Sequence, residues 1–135
     1  MPKHHIRRAA TVAALGAALY PSLEVLWRGY SHISMALAGA AACLLLYYLN
    51  ILFAEWPRLL RAAAGAALIL LIEFTVGVVC NLFLGLGVWD YSSARYNLLG
   101  QICPSFALLW FALSYLFSLL VERVAQEKRE QAQIS

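Results

Sequence analysis

Charged residues are scarce in this sequence: Asp, Glu, Lys and Arg make up 13% of its 135 residues, whereas apolar residues make up 63%. An ordinary soluble domain carries roughly 25% charged residues and could not bury so much apolar surface. The net charge is only +3, and the basic residues flank apolar runs instead of forming a patch with interleaved aromatics. The composition therefore indicates a membrane protein and argues against nucleic acid as a partner.

The sequence also lacks the motifs of most enzymes and metal sites. Its three cysteines, Cys43, Cys80 and Cys103, form neither a C-x-x-C pair nor an even-numbered framework, so we interpret them as small packing residues. There is no G-x-x-x-x-G-K phosphate loop, and His32 and the glutamates show no H-E-x-x-H spacing. We expect no metal, no cofactor and no nucleotide hydrolysis by this chain.

Linkers and low-complexity tracts are missing too, so we expect one domain, residues 1–135. Four apolar runs, at about 9–27, 34–54, 62–88 and 98–121, each reach the roughly 20 residues that span a bilayer as a helix. Residues 66–72 are apolar at every position, which excludes the alternation of a barrel strand. The pattern predicts an all-α, integral membrane four-helix bundle with antiparallel neighbours and a solvated tail, residues 122–135.

The distribution of basic residues predicts the orientation of these helices. Eight lie on one side: Lys3, Arg7, Arg8, Arg58, Arg61, Arg123, Lys128 and Arg129. Only Arg28 and Arg95 lie on the other. Short cytoplasmic loops carry the excess, so both termini should be cytoplasmic. The first apolar run lacks a small-x-small cleavage site, so we interpret it as a membrane anchor and not a signal peptide.

Polar residues inside the third run are the first candidates for function. Glu73, Gly77, Asn81 and Gly85 recur every four residues and therefore share one side of a helix. A charged group at the bilayer centre costs about 2.5 to 3.5 kcal/mol and usually faces a bundle interior or cavity. These four residues form either a packing seam, in which the one carboxyl is hydrogen-bonded, or the lining of a functional cavity.

Two further segments add polar groups. Glu24 and Arg28 are four residues apart and can pair, although Arg28 could equally be a snorkelling anchor. Asp90 and Gln101 belong to a polar connection that could form a vestibule, or could simply supply interfacial aromatics and a capped turn. We expect a polar, outward-facing cavity between the first, third and fourth helices, in the outer half of the bundle. Its candidate residues are Glu24, Arg28, Glu73, Asn81, Asp90 and Gln101.

One block of residues resembles a known family. The segments Trp89-Asp90-Tyr91-Ser92, Asn97, Gly100-Gln101-Ile102-Cys103 and Trp110 are similar to the signature of the putative ABC-transporter type IV family. Upstream, Glu24, Arg28-Gly29, Ser34-Met35, Gly39, Glu73 and Gly77 extend the resemblance over nearly the whole chain. The motif residues are Trp89, Asp90, Tyr91, Ser92, Asn97 and Gly100. Arg95 and Pro104 depart from the pattern, so Arg95 inherits no family role.

The resemblance implies a small permease, or a permease subunit, in a bacterial inner membrane. Glu73 would then be the binding or proton-coupled carboxylate, Glu24 with Arg28 would set its field, and Asp90 would lie at the mouth of the cavity. A typical ABC permease has more spans and a longer coupling segment than residues 55–61 provide. We therefore expect a homo-oligomer, or an ATPase or other membrane subunit as a partner.

Two alternatives from other classes stay open. An accessory subunit of a larger membrane complex would use the small faces of the first two helices, which contain Ala13, Ala17, Ala36, Gly39 and Cys43. A membrane enzyme would use Glu73 or Asp90 as an acid or base. The sequence shows no Ser/His/Asp or Cys/His constellation, so we expect no enzyme.

Overall fold

The structure is a computed structural model that describes residues 3–135, apart from the side chain of His4. It contains four helices, α1 (Lys3–Arg28), α2 (Ile33–Leu52), α3 (Arg58–Gly77) and α4 (Pro104–Ile134), and α3 continues as a π-helical segment, Val78–Phe83. All four are long and apolar enough to cross a membrane, and the described residues contain no β-strand. The predicted all-α membrane bundle is confirmed; the cytoplasmic termini and the single domain stay predictions.

Several predicted helix ends need correction. The first helix begins at Lys3 and not near residue 9, and the fourth continues through the polar tail to Ile134. The third ends at Phe83 instead of residue 88, because Gly85 and Gly87 adopt left-handed backbone angles, φ 63° and 58°, that end a helix. The fourth begins at Pro104 instead of residue 98, since proline fits the first helical turn, where no N–H is needed.

Glycine contacts hold the first two helices together at very close range. A Cβ atom added at Gly16 would overlap the carbonyl oxygen of Gly39, and one added at Gly39 would overlap the Gly16 carbonyl and lie 2.7 Å from Cβ of Tyr20. Small residues allow such approach in membranes, where packing replaces the hydrophobic effect between helices. The small faces of Gly16, Gly39 and Cys43 therefore pack within the bundle.

α3 and α4 form a second packed pair. α3 lies against α2 and α4, with a tight contact where a Cβ atom at Gly65 would lie 2.6 Å from Cδ2 of Leu46 and 3.0 Å from Oγ of Ser114. α1 packs chiefly on α2, whereas α4 packs chiefly on α3. This arrangement leaves a gap between α1 and α4.

A polar cluster joins three helices at the end of the bundle that carries the α2–α3 connection. The buried guanidinium of Arg61 donates to Oδ1 of Asn50 at 2.9 Å, to the carbonyl oxygen of Trp56 at 3.2 Å and to the carboxylate of Glu122. Arg58 also pairs with Glu122, so one carboxylate of α4 holds two cations of α3. In the sequence both arginines indicate only the orientation of the helices, and no spacing within one helix predicts this cluster.

Candidate functional site

The gap between α1 and α4 forms a cavity of about 550 Å³, and Tyr91 of the loop between α3 and α4 contributes to its wall. Ligand pockets in proteins typically measure about 300 to 1,000 Å³, so a small molecule fits. Most of its walls are apolar or aromatic. The lining residues are Tyr20, Leu23, Glu24, Trp27 and Arg28 of α1, Tyr91 of the loop, and Ser105, Phe106, Leu109, Trp110 and Leu113 of α4.

Glu73 lies directly behind two of these wall residues. Its side chain is buried, and the hydroxyl of Tyr20 donates to Oε1 while Nε1 of Trp110 donates to Oε2 at 2.9 Å. The two rings stack with centroids 5.4 Å apart. Both donors are neutral, and among residues 3–135 no described cation forms an ion pair with this carboxylate. Glu73 is therefore a buried acid held at the cavity wall by hydrogen bonds alone.

Glu24 and Arg28 form the pair that their spacing predicts. Nη2 of Arg28 lies 2.6 Å from Oε2 of Glu24, and Ser31 donates to the same carboxylate oxygen at 3.2 Å. Nη1 of Arg28 donates to the carbonyl oxygen of Val88 at 2.8 Å. The guanidinium also lies over the ring of Tyr30, 5.3 Å from its centroid. Arg28 thus ties α1 to the α3–α4 loop while its charge is balanced by Glu24.

Asn81 and Gln101 lie together, but outside the cavity wall. Nδ2 of Asn81 donates to Oε1 of Gln101 at 2.8 Å, and Oδ1 of Asn81 accepts the backbone N–H of Val88 at 2.7 Å. A Cβ atom at Gly77 would lie 2.5 Å from Oε1 of Gln101. The absence of a side chain at Gly77 therefore leaves room for the Gln101 amide. These residues hold the α3–α4 loop against the π-helical end of α3.

The motif residues build the same loop. The buried ring of Trp89 donates from Nε1 to the carbonyl oxygen of Gln101 at 3.0 Å. Oδ1 of Asp90 accepts the backbone N–H of Ser92 at 2.8 Å, which holds the pKa of this exposed carboxyl below its usual range. Asp90 does not line the cavity. Tyr91 does, and its ring stacks on Phe106 with centroids 4.7 Å apart.

Asn97 and Gly100 complete the turn. Nδ2 of Asn97 donates to the carbonyl oxygens of Ser92 and Ala94, at 3.1 Å and 2.8 Å, while its Oδ1 accepts the N–H of Gly100 at 2.9 Å. Gly100 has φ 72°, and its carbonyl oxygen accepts the N–H of Tyr91 at 2.7 Å. The loop therefore fixes the one motif side chain, Tyr91, that reaches the cavity.

Replacing Gly100 with alanine should destabilise this loop more than the same change at Gly87. Both glycines have positive φ, which costs an L-residue about 1 to 2 kcal/mol. A Cβ atom at Gly100 would also lie 3.0 Å from Oδ1 of Asp90, whereas at Gly87 it would meet nothing within 4 Å. We expect Gly100→Ala to lower the unfolding free energy in micelles by about 2 kcal/mol. Equal losses for the two variants would show that the Asp90 contact is unimportant.

The structure thus divides the six candidate residues into two groups. Glu24 and Arg28 line the cavity and Glu73 lies behind its wall, whereas Asn81, Asp90 and Gln101 organise the loop. The aromatic and apolar residues that form most of the wall were not predicted. Periodicity could have found some of them, since Tyr20, Leu23, Glu24 and Trp27 lie on one side of α1 at helical spacing.

His32 caps the start of a helix. Its Nδ1 accepts the backbone N–H of Ser34 at 3.1 Å and caps the start of α2. In the part of the chain that the structure describes, no three His, Cys, Asp or Glu side chains come together as metal ligands would.

The fold and site together define a four-helix membrane protein with an aromatic cavity beside a buried carboxylate. The chain belongs to the family described as "Putative ABC-transporter type IV", whose sequence model matches residues 29–134. The resemblance noted in the sequence is therefore confirmed, and the protein is a transport-related membrane protein. Searches of curated proteins and of solved structures gave no match. The matched segment contains α2 to α4 and the motif loop, whereas Tyr20 and Glu24 lie before it.

Proposed function

We propose that this protein is a small permease or permease subunit of the bacterial inner membrane, with its solute site in the cavity between α1 and α4. The observation that supports this most strongly is Glu73, a buried carboxylate behind the cavity wall that forms no ion pair with any cation among the described residues. In membranes such residues usually mark solute, ion or proton pathways. We assign Glu73 the role of a binding or proton-coupled carboxylate.

The geometry offers Glu73 two ways to act. The Tyr20 hydroxyl and the Trp110 indole donate to Glu73 and also line the cavity. The negative charge of Glu73 can therefore favour a cation in the cavity without direct contact. Rotation of either ring would instead expose the carboxylate to the solute. The Glu24–Arg28 pair lies on the same wall and contributes no net charge of its own.

Replacing Glu73 with glutamine tests the proposal. Proteoliposomes that contain the purified protein should take up at least one member of a broad panel of labelled solutes, and Glu73→Gln should lower that rate at least tenfold. Glu130→Gln, in the exposed tail of α4, is the matched control and should leave the rate unchanged. If no solute in the panel is taken up and none gives saturable thermal stabilisation, the permease assignment is refuted.

A permease built from this chain would need further subunits, because the connection between α2 and α3 is only residues 53–57. We propose a homo-oligomer, or association with an ATPase or another membrane subunit through the same end of the bundle. Mild-detergent purification from the native membrane, with mass spectrometry and a native mass measurement, tests this. A co-purifying ATPase supports the subunit role; a homo-oligomer alone supports an independent transporter; a monomer without partners contradicts both.

A further inference from the structure

We propose that the cavity between α1 and α4 takes a lipophilic organic cation directly from the bilayer. This assignment rests on the proposed function and names the class of its solute. Three observations carry it: the aromatic character of the walls, the balance of charge around them, and the exposure of the wall residues between the two helices.

The walls offer mainly apolar contact and aromatic rings, with few hydrogen-bonding groups. Two stacked pairs contribute to them, Tyr20 with Trp110 and Tyr91 with Phe106. A fifth aromatic residue, Trp27, lies on α1. Aromatic faces attract cations, most strongly where water is excluded. A strongly hydrated ion would find too few polar atoms here to replace its water shell, whereas a cation with an apolar surface would not need them.

The charges around the cavity favour a positive solute. The only cation in its wall, Arg28, is already engaged by Glu24 and by the carbonyl oxygen of Val88. Glu73 adds a carboxylate for which no described residue supplies a cation. Among the described residues, an anionic solute would therefore meet no unpaired cation in the wall and would lie near the acid of Glu73. A cationic solute would supply the positive charge that balances the Glu73 carboxylate.

Three apolar wall residues of α1 and α4, Leu23, Trp27 and Leu109, are exposed. Leu23 and Leu109 are about half exposed, and the ring of Trp27 is 81% exposed. Because α1 packs on α2 and α4 packs on α3, the space between α1 and α4 is lined by side chains of both helices and crossed by the stacked rings of Tyr20 and Trp110. In a bilayer the exposed side chains face acyl chains. A solute that partitions into lipid can therefore reach the cavity without crossing the loop.

Binding of two ions of nearly equal shape and opposite charge tests the proposal. Tetraphenylphosphonium and tetraphenylborate would be titrated against the protein in zwitterionic nanodiscs, with quenching of tryptophan fluorescence as the readout and empty nanodiscs as the background. We expect saturable binding of the cation at least tenfold tighter than that of the anion. Equal affinities, or tighter binding of the anion, would overturn the assignment.

Two leucines that are neighbours on α4 locate the site. Leu109 lines this cavity, whereas Leu108 lies on a separate apolar groove with Ala107 and Phe111. Leu109→Trp should weaken tetraphenylphosphonium binding at least tenfold by filling the cavity, and Leu108→Trp should leave it unchanged. If both variants bind like the wild type, the cation binds elsewhere and the proposal fails. This comparison does not depend on whether variants of Glu73 fold.

Glu73 acts here as a positioning residue, through Tyr20 and Trp110, so its test is charge selectivity and not affinity alone. Glu73→Gln should bring the ratio of cation to anion affinity close to one, whereas Glu73→Asp should keep a preference for the cation. A purely structural role would weaken both ions equally and leave the ratio unchanged, which would contradict the assignment.

Failure of this inference differs from failure of the proposed function. Transport of a neutral or anionic solute that depends on Glu73, without binding of tetraphenylphosphonium, would overturn the solute class and leave the permease standing. Binding of tetraphenylphosphonium in this cavity without any flux would support the solute class and refute transport by this chain alone.

Discussion

Gly16→Val is expected to separate α1 from α2 and to lower the free energy of unfolding by about 3 kcal/mol or more. Overpacking typically costs about 1 to 3 kcal/mol, because neighbouring side chains can shift. Here the first atom of the new side chain would overlap the backbone carbonyl of Gly39, and it would also lie 2.8 Å from Cβ of Cys43. Backbone cannot rotate away, so the whole helix must move. Unfolding in micelles by a denaturing detergent measures the loss.

Ala18→Val is the matched control, since Ala18 lies two residues further along α1 on an exposed surface. It adds a similar branched side chain to the same helix, and its effect should stay within about 0.5 kcal/mol. Equal stability of the two variants would show that the close approach of the helices is not needed. The displaced helix would also carry Tyr20 away from Glu73, so Gly16→Val should weaken solute binding even in the protein that still folds.

Glu122→Gln is expected to destabilise the protein by about 2 kcal/mol. Removing one partner of a buried ion pair costs about 3 to 5 kcal/mol, because the other charge is left uncompensated. Arg61 is such a charge, with 4% of its surface exposed, whereas Glu122 is partly open to solvent, which reduces the cost. Asn50 and the Trp56 carbonyl would still accept hydrogen bonds from Arg61 but would not neutralise it.

A double-mutant cycle separates the ion pair from general damage to α4. Arg61→Met with Glu122→Gln should be more stable than Glu122→Gln alone, because the apolar side chain leaves no buried charge. Glu127→Gln, on the exposed part of the same helix, should change stability by less than about 0.5 kcal/mol. Strictly additive losses in the cycle would mean that the pair contributes nothing specific.

The four spans were predictable because the thickness of a bilayer fixes the length of an apolar run that crosses it. The same rule misplaced two ends, since residues 84–88 are apolar but do not continue the helix. Gly85 and Gly87 carried that signal, as did Pro104 for the start of α4. Hydropathy registers the solubility of a side chain, whereas helix ends depend on backbone conformation.

The candidate site was predictable only in part, for a different reason. The pairing of Glu24 with Arg28 is local, so spacing along one helix predicts it. The contacts of Glu73 with Tyr20 and Trp110 join three helices, and no pattern within one helix specifies how its neighbours rotate. Likewise the polar connection was compatible with a vestibule or with a capped turn. In the structure, most side chains of the motif hydrogen-bond to the backbone of the same loop.

The two hydrogen bonds of Glu73 also imply an order of events during biosynthesis. Tyr20 precedes Glu73 by 53 residues, whereas Trp110 follows it by 37. As the chain leaves the ribosome, α1 and α2 can already stand in the bilayer as a hairpin when α3 arrives. The Tyr20 hydroxyl is then present to receive the carboxylate, which would otherwise meet lipid alone. Trp110 enters last, with α4. Insertion of α4 therefore completes the hydrogen bonds of Glu73 and also creates the cavity.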